Sequence, residues 1–476
     1  MSLLKMTLNK ININTAIKEV EALLAKEKNL SPALKAAIQM LVIIVSMFAK
    51  KWGLTSQNSS KPPSSDPNRQ RGSNRKKSNK KPGGQKGRTG TRLEKVKDPD
   101  IIEELKLDKR KLPKGSYKNI GYQSRQVFEL SISRIVTEYR AEILEDQHGK
   151  RFIAQFPESV TRDVQYGNSV KSAAVYSSQY QLIPYLRTQE QFADYADMPL
   201  SVGSIYNFNQ EAYKQLENFE ELTKKHLREA ALIHADETGI NVNKKRHWLH
   251  TVCDEKWIHF YPHIKRGNEA TNEIGILQRF KGVMCHDHWK PYYKYDCTHS
   301  LCNAHHIREL RYAHEQDKQK WAGVMKKFLK KTNEAVNLAG GSLDKKQVNL
   351  NRERYRQIIS EGEKECPEAI RKDKKKGRVA QTKSRNLLTR LRDFEDDTLR
   401  FMENSFVPFT NNLGERALRM TKVQQKISGC FRSIEGAYIF CRIRGYLSTC
   451  KKHDVKATDA LRLLFEGKLP DFANDS

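Results

Sequence analysis

Residues 230–264 read AALIHADETGINVNKKRHWLHTVCDEKWIHFYPHI, and the fold class turns on how this stretch is parsed. Three short runs in it read as β-prone: Ala230–Glu237, His247–Asp254 and Trp257–Ile264. Turn-forming residues separate them, as between strands. A helical segment is expected next at Glu269–Phe280, then strands at Gly282–Asp287 and Ser300–Ala304, then a helix over His306–Glu315. Three consecutive strands followed by helix, strand, strand and helix suit an α/β sheet of mixed direction.

On the C-terminal side, Ala322–Asn404 is polar, basic and helical, with a loop at Gly340–Lys346, and interrupts the α/β pattern like an insertion. The pattern resumes at Phe406 and closes with helices at Ser433–Lys452 and Ala457–Phe465. Upstream, Ser169–Ala230 is helical. Within it, Gln189–Tyr195 and Ser201–Tyr213, broken at Met198–Leu200, fit either a helix-turn-helix or an ordinary helical hairpin. Earlier still, Ser124–Phe156 reads as a small β unit with segments at Gln126–Leu130, Ile132–Ile143 and Lys150–Phe156 and a turn at Gln147–Gly149. The chain starts with two helices. Thr15–Lys28 is amphipathic; the second opens with Ser31 as N-cap and Pro32 in the first turn. Leu34, Ile38, Leu41, Val45, Phe48 and Trp52 line one face of it, and Val42, Ile43 and Ile44 make the other side apolar too. Such a helix buries itself against a second copy or within its own chain.

These readings divide the chain into N-terminal helices (1–54), a basic linker (55–98), the small β unit (99–165), a helical and possibly DNA-binding region (166–229), a core in two parts (230–315 and 406–476) and the helical insertion (316–405). A length of 476 residues accommodates several such units. Lys and Arg outnumber Asp and Glu by 86 to 56, a formal net charge of +30, which favours a polyanionic partner. The excess is concentrated in Asn58–Gly90, where Lys76, Lys77, Lys80, Lys81, Lys86 and Arg88 sit among Ser, Asn, Pro and Gly with almost no aliphatic residues. Such a segment cannot repay the entropy of folding, and a basic arm of this kind binds phosphates through counterion release. The longest apolar run, Ala36–Ala49, is too short to span a bilayer, and charged and polar residues fill the first thirty positions, so neither membrane insertion nor a secretory signal is expected. The eight cysteines all lie at or after Cys253 without framework spacing, which points to reduced thiols in a cytoplasm, here nucleoid-associated.

Three acids stand where a metal-dependent phosphodiester chemistry needs them. Asp236 ends the first strand in Leu232-Ile233-His234-Ala235-Asp236-Glu237-Thr238, and Asp287 ends the fourth in Val283-Met284-Cys285-His286-Asp287. Two carboxylates at the ends of neighbouring strands are more informative than either alone. Glu415, in Asn411-Asn412-Leu413-Gly414-Glu415-Arg416-Ala417, leads a helical face carrying Arg419 and Lys422, with Arg416 beside it. A ligand beside a phosphate track has that pattern, but so does the N3 residue of a capping box started by Asn412. Hydrolysis by two metals needs hard oxygen ligands converging on ions roughly 4 Å apart. The run His286–His306 also tempts a zinc reading. Cys302 and His305 make one ligand pair, but the second is irregular, so zinc is not expected.

Taken in order, these motifs resemble the bacterial insertion-sequence transposases of the IS66 family. The resemblance runs from Asn58-Ser59-Ser60-Lys61-Pro62-Pro63-Ser64-Ser65-Asp66 and Gly83-Gly84-Gln85-Lys86-Gly87, through His234-Ala235-Asp236-Glu237-Thr238, to Asp287 with Trp289 and Tyr292. It continues in Cys302-Asn303-Ala304-His305 leading into Arg308, and in the Asn411-Asn412 to Glu415-Arg416-Ala417 signature. It implies a ribonuclease H-like core with an Asp-Asp-Glu triad and a helical insertion before the Glu. It also implies recognition of terminal inverted repeats and, often, two small accessory proteins. Two departures stand out: no cysteine precedes Cys253, so the family's zinc module after the linker is not carried over, and Thr410 stands where an Asp is usual.

The expectation is therefore a DNA-cutting and DNA-joining enzyme, acting as a homo-oligomer on the element's ends and on target DNA. Asp236, Asp287 and Glu415 hold Mg²⁺, or Mn²⁺ in its place; Arg308, Arg416, Arg419 and Lys422 contact phosphates, and His305 positions DNA or a water. A metal-dependent nuclease and an inactive DNA-binding relic of a transposase are the rival readings.

Overall fold

In this computed structural model the described residues are 7–8, 11–27, 29–52, 93–370 and 379–474. Two-residue strands β1 (Thr7–Leu8) and β2 (Ile11–Asn12) lead into helices α1 (Ile13–Lys26) and α2 (Pro32–Trp52), which pack on each other. Ser31 caps α2 by accepting the Leu34 amide at 3.3 Å. Met40, Leu41, Ile43, Ile44, Val45 and Met47 of α2 are exposed. Lys76, Lys77, Lys80, Lys81, Lys86 and Arg88 of the basic arm lie outside the described residues.

The small β unit is reduced to one hairpin. Strands β3 (Ile143–Glu145) and β4 (Arg151–Ile153) pair around a turn that Asp146 closes by accepting the amides of His148 and Lys150. Gln126–Leu130 and most of Ile132–Ile143 are extended without ladder partners, and Val127, Leu130, Ile135 and Val136 are exposed. Alternation of polar and apolar residues marks a strand only where a neighbour and a buried face exist, and here this stretch has neither.

Four helices precede the main sheet: α3 (Asn168–Val175), continued by a π-turn at Tyr176–Tyr180, then α4 (Tyr185–Ala196), α5 (Val202–Gln215) and α6 (Glu217–Glu229). Strands β5 (Leu232–Val242), β6 (Lys245–Cys253) and β7 (Ile258–His263) form an antiparallel meander. Helix α7 (Asn268–Ile274) leads to β8 (Val283–His286), a 3₁₀ turn at Lys290–Lys294, and β9 (Thr298–Leu301). Both late strands run parallel to β5, so the five-stranded sheet is mixed, in the order β7-β6-β5-β8-β9. That is the mixed α/β sheet the sequence implies.

Helix α8 (Asn303–Glu315) leaves the sheet, and α9 (Lys320–Leu338), α10 (Lys345–Glu365), α11 (Lys383–Asp393) and α12 (Glu395–Leu399) form the helical interruption. Its Trp321, Met325, Leu329, Tyr355, Ile358, Leu388 and Leu391 are buried together in a second core that also takes in Val283 of β8 and Leu310 and Ala313 of α8. Chain order then returns to the sheet with α13 (Asn412–Ala417), α14 (Arg419–Ser428), α15 (Ile434–Lys452) and α16 (Ala457–Phe465). The α15 side chains Ile443, Tyr446 and Leu447 share the largest core with Ile233, Ala235 and Met284 of the sheet and Ile205 and Phe208 of α5. Ile205, Phe208, Asn209 and Ala212 of α5 face inward, and Ile205, Phe208 and Ala212 join this core. Among the described residues no helix is long and apolar enough to cross a membrane.

Candidate functional site

Strand register places the first two acids together. His234 on β5 pairs with Cys285 on β8, and the strands are parallel. Asp236 and Asp287 each lie two residues beyond that pair, so a period-two strand directs both side chains to the same face at one end of the sheet. Asp236 accepts the Glu237 amide at 2.9 Å, and Asp287 accepts the Trp289 amide at 3.1 Å. His288, between the latter pair, takes a left-handed conformation (φ 70°) in the turn that aims Asp287.

The third acid arrives on α13. Glu415 does not complete a capping box, because α13 begins at Asn412 behind an N-cap at Asn411 that makes no side-chain capping bond. Its carboxylate turns instead toward α8, 3.4 Å from the Arg308 guanidinium and 3.9 Å from His305 Nδ1. Helix α13 sits hard against β5: a Cβ on Gly414 would stand 3.3 Å from Asp236 Cβ and 3.1–3.2 Å from the Asn411 amide atoms. That glycine is what lets α13 pack against β5 at Asp236, while the Glu415 carboxylate itself groups with Cys302 and His305.

Electrostatics bear this out. Burial pushes the Asp236 carboxyl well above its usual range, and the charges of Glu237, Asp287 and Glu415 push it the same way. Among the described residues no cation pairs with Asp236. Glu237 is treated differently: burial and the Asp287 charge raise its carboxyl, but Arg266 forms an ion pair with it and the Tyr292 hydroxyl donates to it at 2.8 Å. Arg266 in turn lies between the Trp248 and Trp289 rings, 4.9 Å from each centroid, and Arg246 covers the far side of Trp248 at 4.7 Å. Glu237, Arg266 and this aromatic ladder are absent from the sequence-derived site. The signal was available, since a second acid inside an apolar strand calls for a cation.

Asn411 is the other residue missed. It is 1% exposed. Its Nδ2 donates to the Ala235 carbonyl at 2.9 Å, its Oδ1 meets His234 Nδ1 at 2.7 Å, its amide donates to Cys302 Sγ at 3.1 Å, and its carbonyl accepts the Glu415 amide at 3.1 Å. One residue thus ties β5, through its side chain, to the start of α8 and to α13, through its backbone. Burial pushes the Cys302 thiol up to about 11. Burial and the Arg308 charge lower the His305 imidazole, while the charges of Asp287, Glu415 and Glu309 oppose them.

The expected phosphate contacts divide. Arg416 and Arg419 are exposed on α13 and α14. Lys422 is tethered, its ammonium donating to the Gly239 carbonyl, and burial lowers its pKa. Arg308 is occupied by Glu415 at the rim of the acidic cluster. The run His286–His306 does not gather around one point: His286 bonds to His299 at 3.1 Å and His306 to Asn303 at 3.1 Å, apart from the Cys302 and His305 pair.

Comparison with known families gives two matches. A model described as the Transposase IS66 family covers residues 163–439, from the helices before the sheet to α15, with all three acids inside it. A family of unknown function, DUF6444, covers residues 7–94. No curated protein matches the chain.

Proposed function

The chain belongs to the IS66 transposase family, and from that premise we propose that it is a DDE-type enzyme that binds insertion-sequence ends, cleaves them and joins them to target DNA. Its catalytic acids in this reading are Asp236, Asp287 and Glu415, on a ribonuclease H-like core, with Mg²⁺ or Mn²⁺ as cofactor. The observation that carries it is the strand register, which sets Asp236 and Asp287 at one end and on one face of neighbouring parallel strands, with the Glu415 helix packed against Asp236 at Gly414. Oxygen donors crowded in this way suit a hard divalent cation, which takes few carboxylates and leaves positions for phosphate. When bound, the ion supplies the acidity and charge neutralisation that phosphodiester cleavage requires.

The remaining roles belong to the chain itself. Glu237, already committed to Arg266 and Tyr292, shapes the site and is not a ligand. His305 and Arg308 flank Glu415 and position the DNA strand. Arg416 and Arg419 present exposed guanidinium groups to phosphates along α13 and α14, and the basic arm with Lys76, Lys77, Lys80, Lys81, Lys86 and Arg88 adds sequence-independent affinity. A homo-oligomer with accessory proteins completes the reading, because two element ends must be held together.

The test uses labelled DNA carrying the element's ends, a target plasmid and Mg²⁺. Joined product is the expected result, lost in Asp287→Asn and Glu415→Gln while end binding persists. Cleaved ends without joining would instead establish the nuclease, and binding without cleavage the relic. For the phosphate track, Arg419→Ala weakens binding to all DNA sequences alike and reduces the slope of log K against log salt by about 1. An unchanged slope would remove Arg419 from the interface.

A further inference from the structure

The sequence offers Cys302 and His305 as half of a ligand set, and the fold supplies what was missing. Cys302 Sγ, a ring nitrogen of His305 and a carboxylate oxygen of Glu415 all lie within 4.8 Å of one another. Cys302 is 1% exposed, at the N-cap position of α8, with its sulfur fixed by the Asn411 amide at 3.1 Å. His305 sits in the first turn of the same helix. Its Nδ1 is buried, faces Glu415 Oε1 at 3.9 Å and has no hydrogen-bond partner among the described residues. A buried ring nitrogen left without a partner is costly unless something else engages it.

Thiolate, imidazole and carboxylate form a mixed donor set. Magnesium prefers oxygen ligands, whereas borderline-soft ions such as zinc accept all three at about 2.0–2.3 Å. Tetrahedral geometry at those lengths brings ligand atoms about 3.3–3.8 Å apart. The side chains of His305 and Glu415, 21% and 26% exposed, have the freedom to close the remaining gap onto the fixed sulfur. They also open the site to solvent.

We propose that Cys302, His305 and Glu415 form a second metal site, selective for a zinc-type divalent cation and mutually exclusive with the Asp236–Asp287–Glu415 arrangement. Binding there releases the Cys302 thiol proton to solvent, forms a metal–sulfur bond and draws Glu415 away from the two aspartates. The same glutamate then reports which cation the cell supplies, and zinc acts as an inhibitor. The inhibitory part rests on the triad reading above; the metal site itself does not.

Cobalt(II) is the probe, because a thiolate ligand gives it a near-ultraviolet charge-transfer band that oxygen ligands do not. Titrated into the full chain without Mg²⁺, Co²⁺ is expected to develop that band at one equivalent and to lose it on addition of Zn²⁺. Cys302→Ser and Cys302→Ala abolish the band. His305→Gln and Glu415→Gln weaken binding at least tenfold, and Asp236→Asn keeps the band even where it ends DNA joining. Millimolar Mg²⁺ raises the Co²⁺ concentration required several-fold. A folded wild-type chain without the band, or a band that survives both Cys302 variants, overturns the site; indifference to Mg²⁺ overturns the mutual exclusion. None of these readouts requires DNA cleavage, so failure here and failure of the transposase reading are separable.

Discussion

Asp236→Asn should melt at a higher temperature than the wild type at pH 7 without divalent cation, while end cleavage and joining fall at least a thousandfold. The two effects have one origin. In the folded chain the Asp236 carboxyl lies well above its usual range, through burial first and then the charges of Glu237, Asp287 and Glu415. The native state therefore holds this proton more tightly than the unfolded state does. Stability falls as pH rises from the unfolded carboxylate value toward the folded one, and the loss is complete above the folded value. Removing the charge returns on the order of 1 kcal/mol, as for other strained functional residues, or about 2–4 °C for a domain of this size. The gap between variant and wild type narrows as pH falls toward the ordinary carboxylate value of 3.8 and closes below it, where both states of the wild type are protonated. Added Mg²⁺ reverses the order, because a ligand that binds only the native state stabilises it, and the variant lacks an oxygen charge to hold it. Scanning calorimetry at pH 4 and pH 7, with and without Mg²⁺, measures all four quantities. A variant less stable than wild type at pH 7 without metal would mean that Asp236 is a structural residue with an unseen partner.

Much of this site was legible because strand ends and acids are local signals. The alternation in Ala230–Glu237 located β5 and with it Asp236, yet the strand runs on to Val242. The local pattern ends at Thr238-Gly239, whereas Ile240 and Val242, 1% and 3% exposed, extend the strand on the opposite face from Ile233 and Ala235 and join a separate core with Leu249, Phe431 and Phe440. The reversal comes at Asn243-Lys244, both with positive φ as a tight hairpin requires. Helix α8 likewise starts at Asn303, not His306, because Cys302 and Asn303 are held by Asn411 and the Thr398 carbonyl, contacts made across the chain. Glu415 shows the same limit from the other side. Local spacing allowed a capping box or a ligand, and only the approach of α8, bringing Arg308 and His305, separates the two. The hairpin β3–β4 fell short of a three-segment unit for lack of any partner surface, which no local pattern encodes. Asn411 was quoted in the signature but given no task, because its partners lie 109 to 177 residues away.

Asn411→Ala is expected to be the most damaging change that leaves every acid in place. The donor on Nδ2 is committed to the Ala235 carbonyl, so Oδ1 must be the atom facing His234, and His234 carries its proton on Nδ1. Truncation leaves the Ala235 carbonyl and the His234 N–H buried without these partners. At about 1–3 kcal/mol for each of the two unsatisfied groups, the loss is about 2–6 kcal/mol. The residues on either side of the break are the ones that matter for chemistry: Ala235 precedes Asp236, and the Asn411 carbonyl holds the first turn of the helix bearing Glu415. A displacement near 1 Å at a reacting centre costs about a hundredfold in rate, so joining should fall by that factor at temperatures where the variant is still folded. Asn411→Asp separates packing from hydrogen bonding. It keeps the volume and the acceptor for His234, but it loses the donor to Ala235 and adds a charge beside an already crowded Asp236. Two measurements distinguish positioning from general instability: the Mg²⁺ concentration for half-maximal joining should rise in both variants, and affinity for end DNA should stay near wild type. Should folded Asn411→Ala join ends at the wild-type rate with wild-type Mg²⁺ dependence, the two aspartates and Glu415 would have to be held in place by the sheet and α13 alone.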